Sequence, residues 1–164
     1  MRKLVLAACA LTLAASVASA YQVDELAADD LTAFALGTDT NVRSVERLDA
    51  GALTDSLRAA EARGEDWTDD PLKVGLELAG RRLVGRRRLV EASYAPGEWE
   101  PGRPFRWVRV AVIDDGWLDD SVTGSRTVLW LVPCEDAAFR VGRALRAHLC
   151  SRPHWRYYSA EPCP

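Results

Sequence analysis

The sequence predicts an α+β domain in which N-terminal helices pack on a four-stranded antiparallel, curled sheet. Apolar residues recur at helical spacing as far as Gly80, whereas β-branched and aromatic residues separated by turn clusters dominate from Arg81 onward. In addition, the segment from Val128 to Val132 is apolar on both faces, which is typical of a strand covered on both sides.

Three helices are expected in the first half of the chain, because apolar residues repeat there at helical spacing and a glycine follows each segment. The segments and their glycines are residues 24–36 with Gly37, residues 53–60 with Gly64, and residues 72–79 with Gly80. The third helix has a clear start, since Asp70 is a good N-cap and Pro71 fits the first helical position. Its apolar residues also alternate, so a strand is the alternative for this segment.

Three strands are expected in the second half, at residues 83–94, 105–113 and 126–132. The segments between them are rich in Gly, Pro and Asp and are short enough for antiparallel connections. Residues 137–150 are ambiguous: Val141, Leu145 and Leu149 fit one side of a helix, and the same segment fits a strand with arginines on its other face.

The first twenty residues have the features of a secretory signal peptide. Arg2 and Lys3 precede an apolar run, and Ala18-Ser19-Ala20 provides the small residues of a cleavage site. We expect cleavage after Ala20, which leaves residues 21–164 as a single secreted or periplasmic domain without a stable membrane anchor. An uncleaved anchor is the alternative.

The charge of the chain is uneven. Removal of residues 1–20 takes away Arg2 and Lys3 and no acidic residue, so 19 basic and 24 acidic residues give a net charge of −5. Residues 21–80 carry a net −9 and residues 81–164 a net +4, which predicts ion pairs between the two halves. Five arginines between Arg81 and Arg88 are expected to be solvated or paired internally rather than to bind nucleic acid, because alternate strand residues point to opposite faces.

Three cysteines follow the proposed signal peptide, namely Cys134, Cys150 and Cys163. In an oxidising compartment we expect at least one disulfide, and Cys150 with Cys163 is the favoured pair because it ties down a proline-containing tail. Such a loop contributes about 3 kcal/mol. Cys134 is then buried or pairs with another chain. The cysteines and histidines lack metal-ligand spacing, so neither a metal nor a cofactor is expected.

The segment from Gly116 to Arg126 reads Gly-Trp-Leu-Asp-Asp-Ser-Val-Thr-Gly-Ser-Arg. It resembles a Gly-x-Leu-Asp-Asp-Ser-Val-x-Gly-x-Arg signature of a group of exported bacterial proteins that have no assigned activity. The later order of Phe139-Arg140-Val141, Cys150 and Cys163 fits the same group. The resemblance implies a strand at residues 137–150, which becomes the fourth strand. A helix cradled by a curled sheet, as in nuclear-transport-factor-like or cystatin-like folds, is the matching analogy, and it implies no function.

The most site-like residues are Asp119, Asp120, Ser121 and Arg126. Adjacent carboxylates repel, which raises the pKa of one of them and suits a general base, while an arginine binds an anionic substrate. The favoured alternative is that the acidic residues and the serine stabilise a tight turn and that Arg126 neutralises them across the hairpin.

A small hydrolase is the alternative function. It uses Asp119 and Asp120 with a histidine, or a serine nucleophile with a histidine; the candidates are Ser121, Ser159, His148 and His154. Neither serine lies in a strand–turn–helix nucleophile elbow or beside a glycine-rich oxyanion loop, which weighs against this chemistry.

We therefore expect a non-catalytic binding or interaction module of the cell envelope. Its recognition surface is expected at a rim of the sheet, where the turn of residues 117–126 meets the loop of residues 152–158. The expected partner is an anionic small molecule, a glycan or an envelope protein. The residues expected to contact it are Trp117, Asp119, Asp120, Ser121, Arg126, Arg152, His154, Trp155 and Arg156.

Overall fold

The computed structural model describes residues 29–38, 40–80, 87–100, 103–116, 121–135 and 137–164. Several predictions fall outside these residues and remain predictions. They concern the signal peptide at residues 1–20 and the side chains of Arg81, Arg82, Arg86, Trp117, Asp119 and Asp120.

Three short helices lie in the described part of the chain: α1 Asp30–Ala35, α2 Ala50–Ala62 and α3 Pro71–Leu78. Each is preceded by an N-cap aspartate, Asp29, Asp49 or Asp70, whose side chain accepts hydrogen bonding from the backbone of the first turn. The predicted start of the third helix is confirmed, because Asp70 accepts from the Leu72 N–H at 2.8 Å and Pro71 is the first helical residue.

The strands form one seven-stranded sheet in the order β1-β7-β6-β5-β4-β3, and β2 also pairs with β6. Their bounds are β1 Asn41–Val42, β2 Glu46–Arg47, β3 Arg87–Glu100, β4 Arg103–Asp115, β5 Val122–Pro133, β6 Phe139–Arg152 and β7 Trp155–Ser159. The pairing of β1 with β7 is parallel, and the other pairs are antiparallel.

The predicted four-stranded antiparallel sheet is therefore wrong, and the nuclear-transport-factor-like and cystatin-like analogies fall with it. The described chain is mostly strand, and its sheet is mixed. Three of the seven strands were not predicted. Strands β1 and β2 have two residues each, too few for a hydrophobic period to be visible in the sequence. Most of strand β7 lies within residues 152–158, which were expected to form a loop. Most of the ambiguous residues 137–150 belong to β6, which continues to Arg152.

One face of the sheet is covered by α2 and α3, and we call it the helix-covered face. Leu57 of α2 and Val74 of α3 are fully buried there against valines and leucines of the central strands. The approach of α3 to β4 is close, because a Cβ atom added at Gly75 would lie 2.3 Å from Val110 Cγ1. Burial of this apolar cluster is the main force that holds the two helices on the sheet.

The opposite face carries three buried arginines, and we call it the arginine face. Phe34 of α1 packs on it, among buried residues that include Trp130 and Tyr158. The Phe34 and Tyr158 rings meet edge to face, with 5.4 Å between their centroids. The prediction that the strand at 128–132 is covered on both sides is thus confirmed.

The predicted disulfide between Cys150 and Cys163 is present and joins the tail to β6. Cys134 is half-buried and forms no disulfide with another described cysteine. Arg87 and Arg88 are paired within the sheet, with Asp115 and Asp114 respectively, as the internally paired interpretation predicts.

Candidate functional site

One end of the sheet brings together the start of β5 and the hairpin between β6 and β7. The carbonyl oxygen of Ser121 accepts a hydrogen bond from the Ser151 N–H at 3.0 Å. Arg152 and Trp155 are cross-strand partners at the hairpin turn. Ser121 therefore lies beside the segment that carries the other described residues of the expected rim.

Aromatic and basic side chains alternate along this end. The Trp155 and Tyr157 rings are neighbours, with 5.1 Å between their centroids, and Trp155 is half-buried. The Arg43 guanidinium lies over the Tyr157 ring, 3.6 Å from its centroid. We call the set of Arg43, Arg152, His154, Trp155 and Arg156 the basic rim.

The arginines of the basic rim are exposed. Among the residues that the structure describes, neither Arg43, Arg152 nor Arg156 forms an ion pair. Arg152 Nη2 donates a hydrogen bond to the Pro164 carbonyl oxygen at 3.0 Å, and His154 is exposed at the turn. The rim therefore presents exposed cationic groups that no described carboxylate side chain neutralises, although Arg43 also stacks on Tyr157 and Arg152 is hydrogen-bonded to the tail.

Arg126 does not belong to this rim. It pairs across the sheet with Ile113 and Ala147, its side chain points into the arginine face, and the residue is 0% exposed. Its interaction is with the backbone, because Arg126 Nη2 donates to the Leu36 carbonyl oxygen at 2.7 Å. The reason is strand alternation: Arg126 is in phase with Val128 and therefore shares its buried face.

Two further arginines lie on the same face, on either side of Trp130. Arg109 and Arg143 are the cross-strand partners of Trp130, and they are 6% and 8% exposed. Their guanidinium carbons lie 5.8 and 5.4 Å from the Trp130 ring centroid. Cation–π contacts of this kind are stronger when they are desolvated, so Trp130 helps the face to hold two cations.

Hydrogen bonds from arginines hold helix α1 on the arginine face at its start and just after its end. At its start, Asp30 accepts hydrogen bonds from Arg143 Nε at 2.9 Å and from Arg47 Nε at 3.0 Å. Burial would raise the pKa of Asp30, but the hydrogen bonds from these two arginines outweigh it and hold the pKa below its ordinary value. After its end, the Leu36 carbonyl accepts from Arg109 and Arg126.

A cleft of about 840 Å³ lies beside the Asp30 end of α1, within the size range of ligand sites. Its lining residues are Asp29, Arg47, Leu48, Asp49, Ala50, Val132, Arg140, Gly142, Arg143 and Ala144. The lining holds three arginines and two aspartates, and two of the arginines, Arg47 and Arg143, are paired with Asp30 next to the lining. The positive charge of the cleft is therefore largely neutralised.

A polar row crosses the helix-covered face near the end of α3. It consists of the cross-strand partners Arg88, Asp114, Ser125, His148 and Ser159. Arg88 binds Asp114 at two points, with Nε and Nη2 at 2.6 and 2.7 Å from its carboxylate oxygens. Asp114 is thus held by Arg88, and Ser125 of β5 lies between Asp114 and His148 in the row, so this carboxylate is not placed to orient the histidine.

The two histidines proposed for a hydrolase are separated in the structure. His148 lies within β6 on the helix-covered face, whereas His154 is exposed at the hairpin turn. No group of three or more metal-ligating side chains occurs in the described segments. Over those same segments, no helix has the length and apolar character needed to cross a membrane.

Comparison with known proteins returns no matching family model, no matching curated protein and no matching solved structure. The resemblance to exported bacterial proteins therefore stays a prediction, and functional argument rests on the geometry of this chain alone.

Sequence reasoning missed Arg109, Arg143 and Asp30, which organise the arginine face. A signal for Arg109 was present, because it alternates with Trp107 and Ala111 in a strand that is otherwise apolar on that side. Asp30 had no comparable signal, since its partner Arg143 is 113 residues away in the chain.

Proposed function

We propose that the protein is an exported, non-catalytic binding module of the cell envelope whose basic rim recognises an anionic glycan. The observation that carries this proposal is the set of three exposed arginines, Arg43, Arg152 and Arg156, which form no ion pair with a described side chain and lie at the same end of the sheet as Trp155. The signal-like residues 1–20 support export, and a disulfide is compatible with an oxidising compartment.

The chemistry of the rim suits carboxylate, sulfate or phosphate groups on sugars. Arginine presents a planar fork of donors that matches these oxyanions, and it is weakly hydrated compared with lysine. The half-buried Trp155 adds an apolar surface with a polar edge, which suits a sugar ring better than a simple ion.

The open shape of the rim favours an extended ligand over a small molecule. The arginines are spread over the segment after β1 and the β6–β7 hairpin rather than gathered in a concavity. A small molecule reaches too few of them, whereas a polymer with repeated charges binds several at once and gains affinity by avidity. The cleft beside α1 is a poorer candidate because two of its three arginines, Arg47 and Arg143, are already paired with Asp30.

The proposal is tested by charge reversal at the rim. Polygalacturonate is the anionic probe and dextran the neutral one, and binding is measured by isothermal titration calorimetry with the full exported protein. Arg152→Glu combined with Arg156→Glu should weaken polygalacturonate binding about a hundredfold, since each exposed charge contact is worth roughly 1 kcal/mol and reversal replaces attraction by repulsion.

The matched control is Arg106→Glu combined with Arg140→Glu. Both residues are exposed, and Arg140 lies on the same strand as Arg152, about 40 Å away along β6. This variant has the same net charge as the rim variant and should retain binding. If both variants lost the same affinity for polygalacturonate, the loss would follow from the change in net charge and the proposal would fail. Binding of dextran as tight as that of polygalacturonate would contradict an anionic ligand.

A further inference from the structure

Arg126 is a buried cation whose hydrogen-bonding capacity is mostly unused. Its Nη2 donates to the Leu36 carbonyl oxygen, but its Nε and Nη1 have no hydrogen-bond partner among the residues that the structure describes. No described carboxylate lies within ion-pair distance of it, and its guanidinium carbon is 5.4 Å from the centroid of the Phe34 ring. Burial lowers the pKa of Arg126, and Tyr158 and Glu91 offset this only in part. A cation in this state is costly unless an anion joins it.

A second guanidinium converges on the same point. Arg109 Nη2 also donates to the Leu36 carbonyl oxygen. A Cβ atom added at Gly37 would lie 3.7 Å from Arg126 Nη2 and 3.8 Å from Arg109 Nη1, so the Leu36–Gly37 peptide sits directly over both groups. Both guanidinium groups thus donate to the same neutral carbonyl oxygen.

The peptide over the arginines belongs to a turn that has two common forms. The Thr38 N–H donates to the Ala35 carbonyl at 3.0 Å, Leu36 has φ −54° and ψ 127°, and Gly37 has φ +71°. These values define a type II turn. Rotation of the Leu36–Gly37 peptide by about 180° converts type II into type I with little movement of the ends of the turn.

The rotation exchanges an acceptor for a donor above the arginines. In the type I form, the Leu36 carbonyl points away from Arg109 and Arg126, and the Gly37 N–H points toward them. Leu36 then takes helical angles that extend α1 by one residue, and Gly37 leaves the left-handed region. Gly37 is exposed, so solvent reaches the turn from the outside.

We propose that Arg109, Arg126 and the Gly37 N–H form a site for a small oxyanion, which opens when the Leu36–Gly37 peptide flips and the anion replaces the Leu36 carbonyl. The flat donor forks of two arginines favour a carboxylate or phosphate over a spherical halide. The surrounding rings of Phe34 and Trp130 restrict the ligand to a small size. This site is distinct from the basic rim and stands without it.

The test uses the full chain and inorganic phosphate, with acetate as a second oxyanion and chloride at equal ionic strength as the spherical control. Phosphate should raise the melting temperature in a saturable manner, and chloride should not. Arg126→Met should abolish the phosphate effect without lowering stability in phosphate-free buffer, because it removes an unpaired buried charge while keeping the apolar stem. The Arg152→Glu rim variant should respond like the wild type.

Gly37→Ala gives an independent test that does not depend on how Arg126→Met folds. An L-residue is strained in the left-handed region of the type II form but not in the type I form, so the variant should bind phosphate about tenfold more tightly. Gly64→Ala is the matched control: Gly64 has φ +72°, nothing lies within 4 Å of its added Cβ, and its substitution should leave phosphate affinity unchanged.

Three results would overturn the proposal. The first is a phosphate effect that does not saturate or that chloride reproduces, which shows general screening by salt. The second is an undiminished phosphate effect in folded Arg126→Met. The third is a Gly37→Ala variant with unchanged or weaker phosphate affinity. None of these results bears on polygalacturonate binding at the rim.

Discussion

Removal of the disulfide by Cys163→Ser should lower the free energy of unfolding by about 3 kcal/mol. The bridge joins residues separated by 13 positions, and in the chain-entropy model a closed loop of this size restricts the unfolded state by that amount. Cys163 is the better position for substitution because it is half-buried, whereas Cys150 is fully buried and a serine there would add the cost of a buried hydroxyl.

The same substitution should leave the basic rim in place at room temperature. Strand β7 keeps its hydrogen-bonded ladder with β6 without the bridge. Its end is also held by the Ser44 and Ser159 hydroxyls, which lie 3.1 Å apart, and by the Ala160 N–H, which donates to Ser44 Oγ at 3.1 Å. Binding of polygalacturonate should therefore survive while stability falls.

Urea denaturation followed by tryptophan fluorescence, with and without dithiothreitol, measures the effect. Wild-type protein in dithiothreitol should match Cys163→Ser, and dithiothreitol should not change that variant further. Cys134→Ser is the control, because Cys134 forms no described disulfide. A loss below about 1 kcal/mol on reduction would refute the loop-entropy argument for this tail.

Three further predictions concern packing, pH and export. Gly75→Ala should lower the free energy of unfolding in urea by about 1–2 kcal/mol, because the clash of the added Cβ with Val110 Cγ1 exceeds the gain of roughly 1 kcal/mol in helix propensity. This loss should be smaller in a Val110→Ala background. The pKa of Asp30 is held below its ordinary value, so its ion pairs stabilise the fold at neutral pH. This stabilisation is lost as the pH falls through the folded-state pKa. The free energy of unfolding of Asp30→Asn should therefore fall less than that of the wild type between about pH 5 and 2. Amino-terminal sequencing of the exported protein should give Tyr21 as the first residue, and a chain that starts at Met1 would contradict cleavage after Ala20.

The parts of the fold that were predictable depend on neighbours in the sequence. Asp70 and Pro71 mark the start of α3 because an N-cap and a proline act within one helical turn. The positions of β4 and β5 follow from runs of β-branched and aromatic residues. The pairing of Cys150 with Cys163 followed from the short tail that separates them.

The candidate site was predictable only in part, for reasons of alternation and distance. Ser121 and the hairpin residues of the rim are brought together by β5, which the sequence located, and by β6, which the residues alone left open between helix and strand. Arg126 was assigned to the turn because it follows Asp-Asp-Ser closely, yet its phase in the strand sends it to the buried face with Trp130. The Asp-Asp-Ser turn nearby does not decide where the Arg126 side chain points. Its position in the alternation of β5 decides which face of the sheet the side chain takes.

The amino-acid sequence by itself determined where α3 begins, where β4 and β5 run and which cysteines pair, since these depend on capping, side-chain shape and short loops. Only the tertiary structure decided that β1 joins β7 in parallel, that two-residue strands complete the sheet, and that α1 lies across three buried arginines. Those features depend on hydrogen bonds between segments about a hundred residues apart, such as Ser44 with Ser159 and Leu36 with Arg126, and no local preference specifies which distant partner a backbone group will find.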